Sequence, residues 1–356
     1  MKKWGLLSRL VLCLFVLVPL RTWAQADGVI RGQVVNGTAG GGATAGLEVA
    51  LRIFQGQNEG DELITTTDGQ GRFQFEGLET GSDWRYLART SYQDVNYSTD
   101  LVAFEPDTGE LDVEVLVYEL TTGYEGIVVE RAHVFVTVSE TSLSVSELYV
   151  FANLSDRTFV GTDEADGQRW VSQFLLPQES YDLAFEDGTL GGRFLSIRGG
   201  FVDREPLWPG RTSVMFAYAV DCGTRGCDLS REISHPISNL NVLISDVGVN
   251  VESKTLTFEG RRDTEGQSFL NYTGTDLKPG DQLDLSIQLG RSAPAGAVLP
   301  RGAGFSQSGS ENLPWILLGV VLAGLALIYP FWRQRVREAA IKEARQAPRK
   351  QERDAQ

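Results

Sequence analysis

The chain has 356 residues, with 32 Lys+Arg against 47 Asp+Glu and 42% hydrophobic residues. At roughly 150 residues per domain this is about two domains, and it is too apolar for a disordered polyanion. A formal net charge of −15 excludes the basic face that a nucleic-acid binder turns to phosphate. At the N-terminus, Lys2, Lys3 and Arg9 flank an apolar run from Leu10 to Leu20, and Ala24-Gln25-Ala26 follows. Small residues stand at both positions that a signal peptidase inspects, so residues 1–26 read as a secretory signal peptide cleaved before Asp27. The run is short for a bilayer core of about 30 Å, and Cys13 lacks the small residues that precede a lipoprotein cysteine.

Residues 27–118 form a first unit. Leu47, Val49, Leu51 and Ile53 alternate with Glu48, Ala50 and Arg52, and Leu111, Val113, Val115 and Val117 alternate likewise with Asp112 and Glu114. A period of two with one polar face predicts half-buried antiparallel strands. Between these runs lies Thr67-Asp68-Gly69-Gln70-Gly71-Arg72-Phe73-Gln74-Phe75, followed by Leu78 and Gly81. Asp68, Gly69 and Gly71 make a turn, and Phe73 and Phe75 then point to one face. With Gly32 before Val34 and Gly46 before the Leu47 run, this unit resembles the carboxypeptidase regulatory-like domain, a small prealbumin-like β-sandwich. The resemblance implies a structural or binding accessory, and fold of this kind says little about function. The Gly37 to Gly46 insert is longer than the first turn of that family needs, which leaves the start of the second strand open.

Residues 121–289 form a second strand-rich region of no recognised family. Strands are expected over Gly126 to Val138, Leu143 to Ala152, Arg169 to Leu176, Thr212 to Val220, Ile237 to Ile244 and Gln282 to Leu289. One elaborated sandwich or two small ones would fit. Cys222 and Cys227 bracket Gly223-Thr224-Arg225-Gly226, and in an exported chain such a pair predicts a disulfide across a loop. Residues 290–312, rich in Gly, Ser, Ala and Pro, read as a flexible stalk reaching roughly 25 Å. Trp315 to Trp332 carries no charge and is long enough, at about 27 Å, for a transmembrane helix within residues 313–332. Seven Lys/Arg lie in the twenty residues after it and one, Arg301, in the twenty before. The positive-inside rule therefore puts the basic tail, 333–356, in the cytoplasm and the bulk of the chain outside, at the cell surface or in a periplasm. Residues 27–312 then hold 20 basic and 43 acidic residues, a net −23.

Chemistry is sparse. His133 sits in an apolar strand and His235 precedes Pro236; neither opens a His-x-x-Glu or His-Glu-x-x-His zinc pattern. No Gly-x-Ser-x-Gly elbow and no phosphate-cradling Gly-rich loop occurs. Asp61-Glu62 and Asp163-Glu164-Ala165-Asp166 do not match an EF-hand loop, so no metal and no cofactor is assigned. Trp84 and Trp208 are the candidates for stacking on sugar rings, Trp208 being the one expected to be exposed, although core packing is the commoner role of such rings. The expected architecture is all-β: tandem antiparallel β-sandwiches outside the membrane, a flexible stalk and one C-terminal transmembrane helix. The expected function is a non-catalytic, membrane-anchored envelope protein that contacts a protein partner. A module that binds carbohydrate or cell-wall polymer is the second reading.

Overall fold

The computed structural model describes residues 28–288 except 57, 107, 140, 164–168, 224–225 and 265–266. The signal peptide, stalk, membrane span and tail expected from the sequence lie outside the described residues, as do Glu164, Ala165 and Asp166. Every described element is a strand. The chain divides into two compact units, residues 28–36 with Gly42–Val117, and Gly37–Gly41 with residues 118–288.

The first unit contains β1 (Gly28–Asn36), β2 (Glu48–Gln55), β3 (Asn58–Thr66), β4 (Arg72–Leu78), β5 (Trp84–Tyr92), β6 (Val95–Ser98) and β7 (Glu110–Val117). They form two sheets, β4-β1-β7 and β3-β2-β5-β6. Ile30, Val34, Phe73, Phe75, Val115 and Val117 are buried on one sheet; Val49, Leu51, Tyr86, Ala88, Val95 and Tyr97 are buried on the other. This is a β-sandwich.

The turn before β4 has a local cause. The Asp68 carboxylate accepts the amides of Gln70 and Arg72 at 2.8 and 2.9 Å, and these bonds hold it below the usual carboxylate range. Thr67, itself buried, accepts the Leu47 amide at 2.8 Å and donates to the Thr44 carbonyl at 2.7 Å, which ties the loop before β2 to this turn. Along β4, alternation runs through Phe73 and Phe75 and then skips to Leu78, because the register shifts there against β1. Gly77 takes up the extra residue at φ +72°. Tyr86 is fully buried; its hydroxyl donates to the Glu79 carbonyl at 2.6 Å, and burial raises its pKa to about 12.

In the second unit a seven-stranded sheet is built from β8 (Ile127–Val138), β9 (Ser142–Asn153), β10 (Ser180–Phe185), β11 (Gly210–Asp221), β12 (Ile237–Ser245), β13 (Thr257–Thr264) and β14 (Gln267–Leu277), in the order β10-β11-β9-β8-β12-β14-β13. Several small sheets contribute to one continuous core with its inner face. Val134, Val145, Phe216 and Val242 of the large sheet share a cluster with Phe174, Phe201, Leu283 and Ile287 from the short strands and Leu229 from a connecting segment. The rings of Phe174, Phe201 and Phe216 pack within about 5 Å of one another (5.0, 5.2 and 4.9 Å between centroids). The large sheet and the short strands of this unit thus share one core.

Three expectations need correction. Pairing is mixed, because β1 runs parallel to β7 and β12 parallel to β8. The run from Arg169 to Leu176 is broken into Arg169–Trp170 and Ser172–Leu175, which belong to different sheets. Gln282 to Leu289 is likewise broken into Gln282–Leu283, paired with Arg231–Glu232, and Ser286–Gln288, paired with Cys227–Asp228 and Asn250–Glu252. Across the second break alternation continues while the hydrogen-bond partners change; across the first the side chains change face, since Val171 and Phe174 both lie in the core. Cys222 and Cys227 are joined by a disulfide, with Cα atoms 4.5 Å apart. So small a loop contributes about 2 kcal/mol on a chain-entropy estimate.

Gly32 gives a direct test of sandwich packing. A Cβ there would stand 2.0 Å from the Phe73 ring, whereas one on Gly69 would meet nothing within 4 Å. Gly32→Ala should lose about 1–3 kcal/mol in urea unfolding, and Gly69→Ala should stay within about 0.5 kcal/mol of wild type.

Candidate functional site

Inward-facing positions on β9 read Leu143, Val145, Glu147, Tyr149 and Phe151, a hydrophobic stripe interrupted by one acid. Glu147 is 1% exposed and has four polar contacts. The hydroxyls of Tyr149 and Tyr218 donate to its two oxygens at 2.8 and 2.6 Å, and Arg231 Nη2 bonds both oxygens at 2.7 and 2.6 Å. Arg231, 8% exposed, comes from the short strand beyond the disulfide loop. Burial works against its charge, but Glu147 and the two tyrosine oxygens outweigh it and hold the guanidinium above its ordinary range. Burial first, then Glu147, raises both tyrosines. All four groups are occupied with one another, so this cluster pins the layers and offers no free acid or base.

His235 is also buried. Its Nδ1 lies 2.6 Å from the Tyr124 hydroxyl, and its ring packs edge-on against Phe151 and Phe174. Nε2 has no partner in hydrogen-bonding geometry. It borders a cavity of about 20 Å³ that is also lined by Arg231, Glu232 and Gln173. That volume suits a single water, not a substrate. Burial drives the imidazole pKa down to about 4, against a small opposing pull from the Gln173 backbone. His133, on β8, is half-buried and stacked at 6.4 Å on Phe135, with its pKa lowered by burial and then by Arg131.

Beside the disulfide is an open polar cleft of about 910 Å³, lined by Glu179, Asp221, Asp228 and Asp284 among others. Among the described residues, no group of three or more His, Cys, Asp or Glu side chains converges as a metal site would. Trp84 and Trp208 lie in different units and are both half-buried. Trp208 is therefore not the exposed ring expected; its Nε1 is buried and unpartnered. Its neighbours explain the burial, since the adjoining Leu207 is anchored through its backbone to Phe159 and Asn153.

Some large apolar side chains also face outward. Ile64 is 60% exposed, Leu101 53%, Leu154 76% and Phe258 51%. Ile64 sits on β3, which occupies the edge of its sheet and is exposed along nearly its whole length. The run Asn58-Glu59-Gly60-Asp61-Glu62-Leu63-Ile64-Thr65-Thr66 has no alternation and so predicts no strand. The strand is wet on both faces and carries no such signal.

No known protein-family profile matches this chain, and no curated protein matches it. Among solved structures, a DUF3823 family protein from Parabacteroides merdae is 14% identical, covering 55% of this chain and 80% of its own, with a TM-score of 0.19. The major pilin SpaD from Corynebacterium diphtheriae is 10% identical, with 73% and 81% covered and a TM-score of 0.22. Two B repeat units of the collagen binding protein of Staphylococcus aureus are 10% identical, with 75% and 69% covered and a TM-score of 0.19. Scores this low carry no argument about what the chain does.

Two outcomes test the buried groups. Glu147→Gln leaves Arg231 charged and uncompensated, and should cost about 3–5 kcal/mol in urea unfolding. Glu130→Gln breaks a more exposed pair with Arg211 and should cost about 0–1 kcal/mol. For His235, the folded pKa of about 4 lies below the 6.5 of a free histidine. The unfolded chain therefore binds the proton more readily. The contribution is complete above about pH 6.5 and is lost as pH falls toward 4, amounting to about 3 kcal/mol. The acid-side decline in thermal stability should be measurably shallower in His235→Gln than in wild type.

Proposed function

We propose that this chain is a non-catalytic protein-interaction module, held at the outer face of a membrane by its C-terminal segment, with its acidic β units outside. The observation that carries this reading is a division of labour among side chains. Buried ionisable groups such as Glu147, Arg231 and His235 are enclosed in the packing, while aliphatic side chains stand exposed on edges and loops. An active site needs the reverse, a perturbed acid or base facing a substrate-sized cleft. The two-sheet first unit, with its Asp68–Gly71 turn, supports placing it with carboxypeptidase regulatory-like domains, whose usual role is accessory. The signal pattern and the Trp315 to Trp332 run support export and anchoring.

Crosslinking mass spectrometry on native membranes tests this. The expected result is a discrete protein partner crosslinked within residues 121–289. Retention of the chain on cell-wall polysaccharide, lost in Trp84→Ala and without a protein partner, would replace this reading with glycan binding.

A further inference from the structure

The open edge of β3 has a defined hydrogen-bonding face. Thr67 exchanges backbone bonds with the loop before β2, and Gly56 on the far end of β2 bonds Asp83 beside β5. Antiparallel ladders alternate, so the odd residues of β2 turn to β3, and Leu63 and Thr65 turn back to them. Glu62, Ile64 and Thr66 consequently direct their N–H and C=O groups to the empty side. No described strand pairs there. Side chains on this stretch are unusual for an unprotected edge. Leu63 and Ile64 are 37% and 60% exposed, with no proline or lysine between residues 58 and 66.

Charge selects the occupant. Glu59 and Glu62 are already paired with Arg52 and Arg89, which leaves Asp61 as the one uncompensated acid of the strand. In an antiparallel self-pairing centred on Ile64, Asp61 faces Thr67 and no acid stands directly opposite another. We propose that β3 pairs antiparallel with β3 of a second copy of this chain, with Ile64 on the two-fold axis. Ile64 then faces Ile64, and Glu62 faces Thr66 in both directions. All three outward residues of each strand exchange backbone hydrogen bonds with the other. A slip that centres the axis on Glu62 would set like charges directly opposite, which is unfavourable. Centring on Thr66 would run Ile64 into the Asp68 turn. Two four-stranded sheets would join into one, closing both edges. Pairing through one short strand falls in the weak class of interfaces below about 1,200 Å². The net negative charge of the exported part should make it tighter as salt rises. The inference rests on strand geometry and stands whether or not a different protein docks on residues 121–289.

The test uses the full chain. Opposed hydrogen-bonded residues on antiparallel strands have Cα atoms about 5.5 Å apart, inside disulfide range. Under mild oxidation, Ile64→Cys should form a disulfide-linked dimer at least about ten-fold faster than Leu101→Cys, which is also exposed on the first unit. In sedimentation at roughly 10–200 µM, Ile64→Lys should weaken the wild-type self-association by about ten-fold or more. Both substitutions leave the core untouched, and unchanged melting of the monomer verifies this. A wild-type monomer at every concentration, or equal crosslinking at positions 64 and 101, overturns the proposal. So does a different protein's strand taken up at β3 without any self-association.

Discussion

The second unit depends on one buried carboxylate. Glu147 occupies an inward position in the middle of a twelve-residue strand, where a leucine would fill the same space. Desolvating a carboxylate there costs several kcal/mol, and only the combination of Arg231 with two tyrosine hydroxyls offsets it. Arg231 lies about eighty positions further along the chain, on a two-residue strand of the opposing layer. The cluster therefore satisfies its charges in one arrangement of the two layers. Register slips that an all-apolar core would tolerate leave an ion unpaired. Two other features gather around the same place: Arg231 also lines the small cavity at His235, and the disulfide closes the loop that precedes it.

The first unit has a different kind of pin. Its order starts from local hydrogen bonds, with Asp68 gripping the amides of the following turn and Thr67 holding the loop before β2. These interactions place Phe73 against the bare backbone of Gly32, a contact too close for any side chain at that position. One unit is thus stabilised at a tight turn, the other at a buried ion pair. Some aliphatic side chains, Ile64 on β3 and Leu101 and Leu154 on loops, remain exposed.

Much of the strand content was legible because half-buried strands alternate. β2, β7, β8, β9 and β11 carry that signal, and the Asp68–Gly71 turn with Phe73 and Phe75 announces itself by residue type. β3 was not legible, since a strand wet on both faces has no period. The break between Leu283 and Ser286 was not legible either, since alternation records which face a residue takes and not which neighbour it bonds; at Val171 the chain changes face, which only the packing of Val171 and Phe174 in one core reveals. The half-burial of Trp208 was similarly hidden: Pro209 and Gly210 after it say loop, while the adjoining Leu207 is buried and held through its backbone by Phe159 and Asn153.

The sequence by itself determined the all-β class, the turn chemistry of the first unit and the disulfide pair. These follow from local rules of period, φ/ψ preference and residue type, which act within a few positions. Tertiary structure alone decided that Glu147 meets Arg231, that His235 is sealed against aromatic rings, that β1 and β7 run parallel, and that β3 is left as an open edge. Each of these is a pairing between distant segments, and its energy depends on burial and geometry that no local window contains.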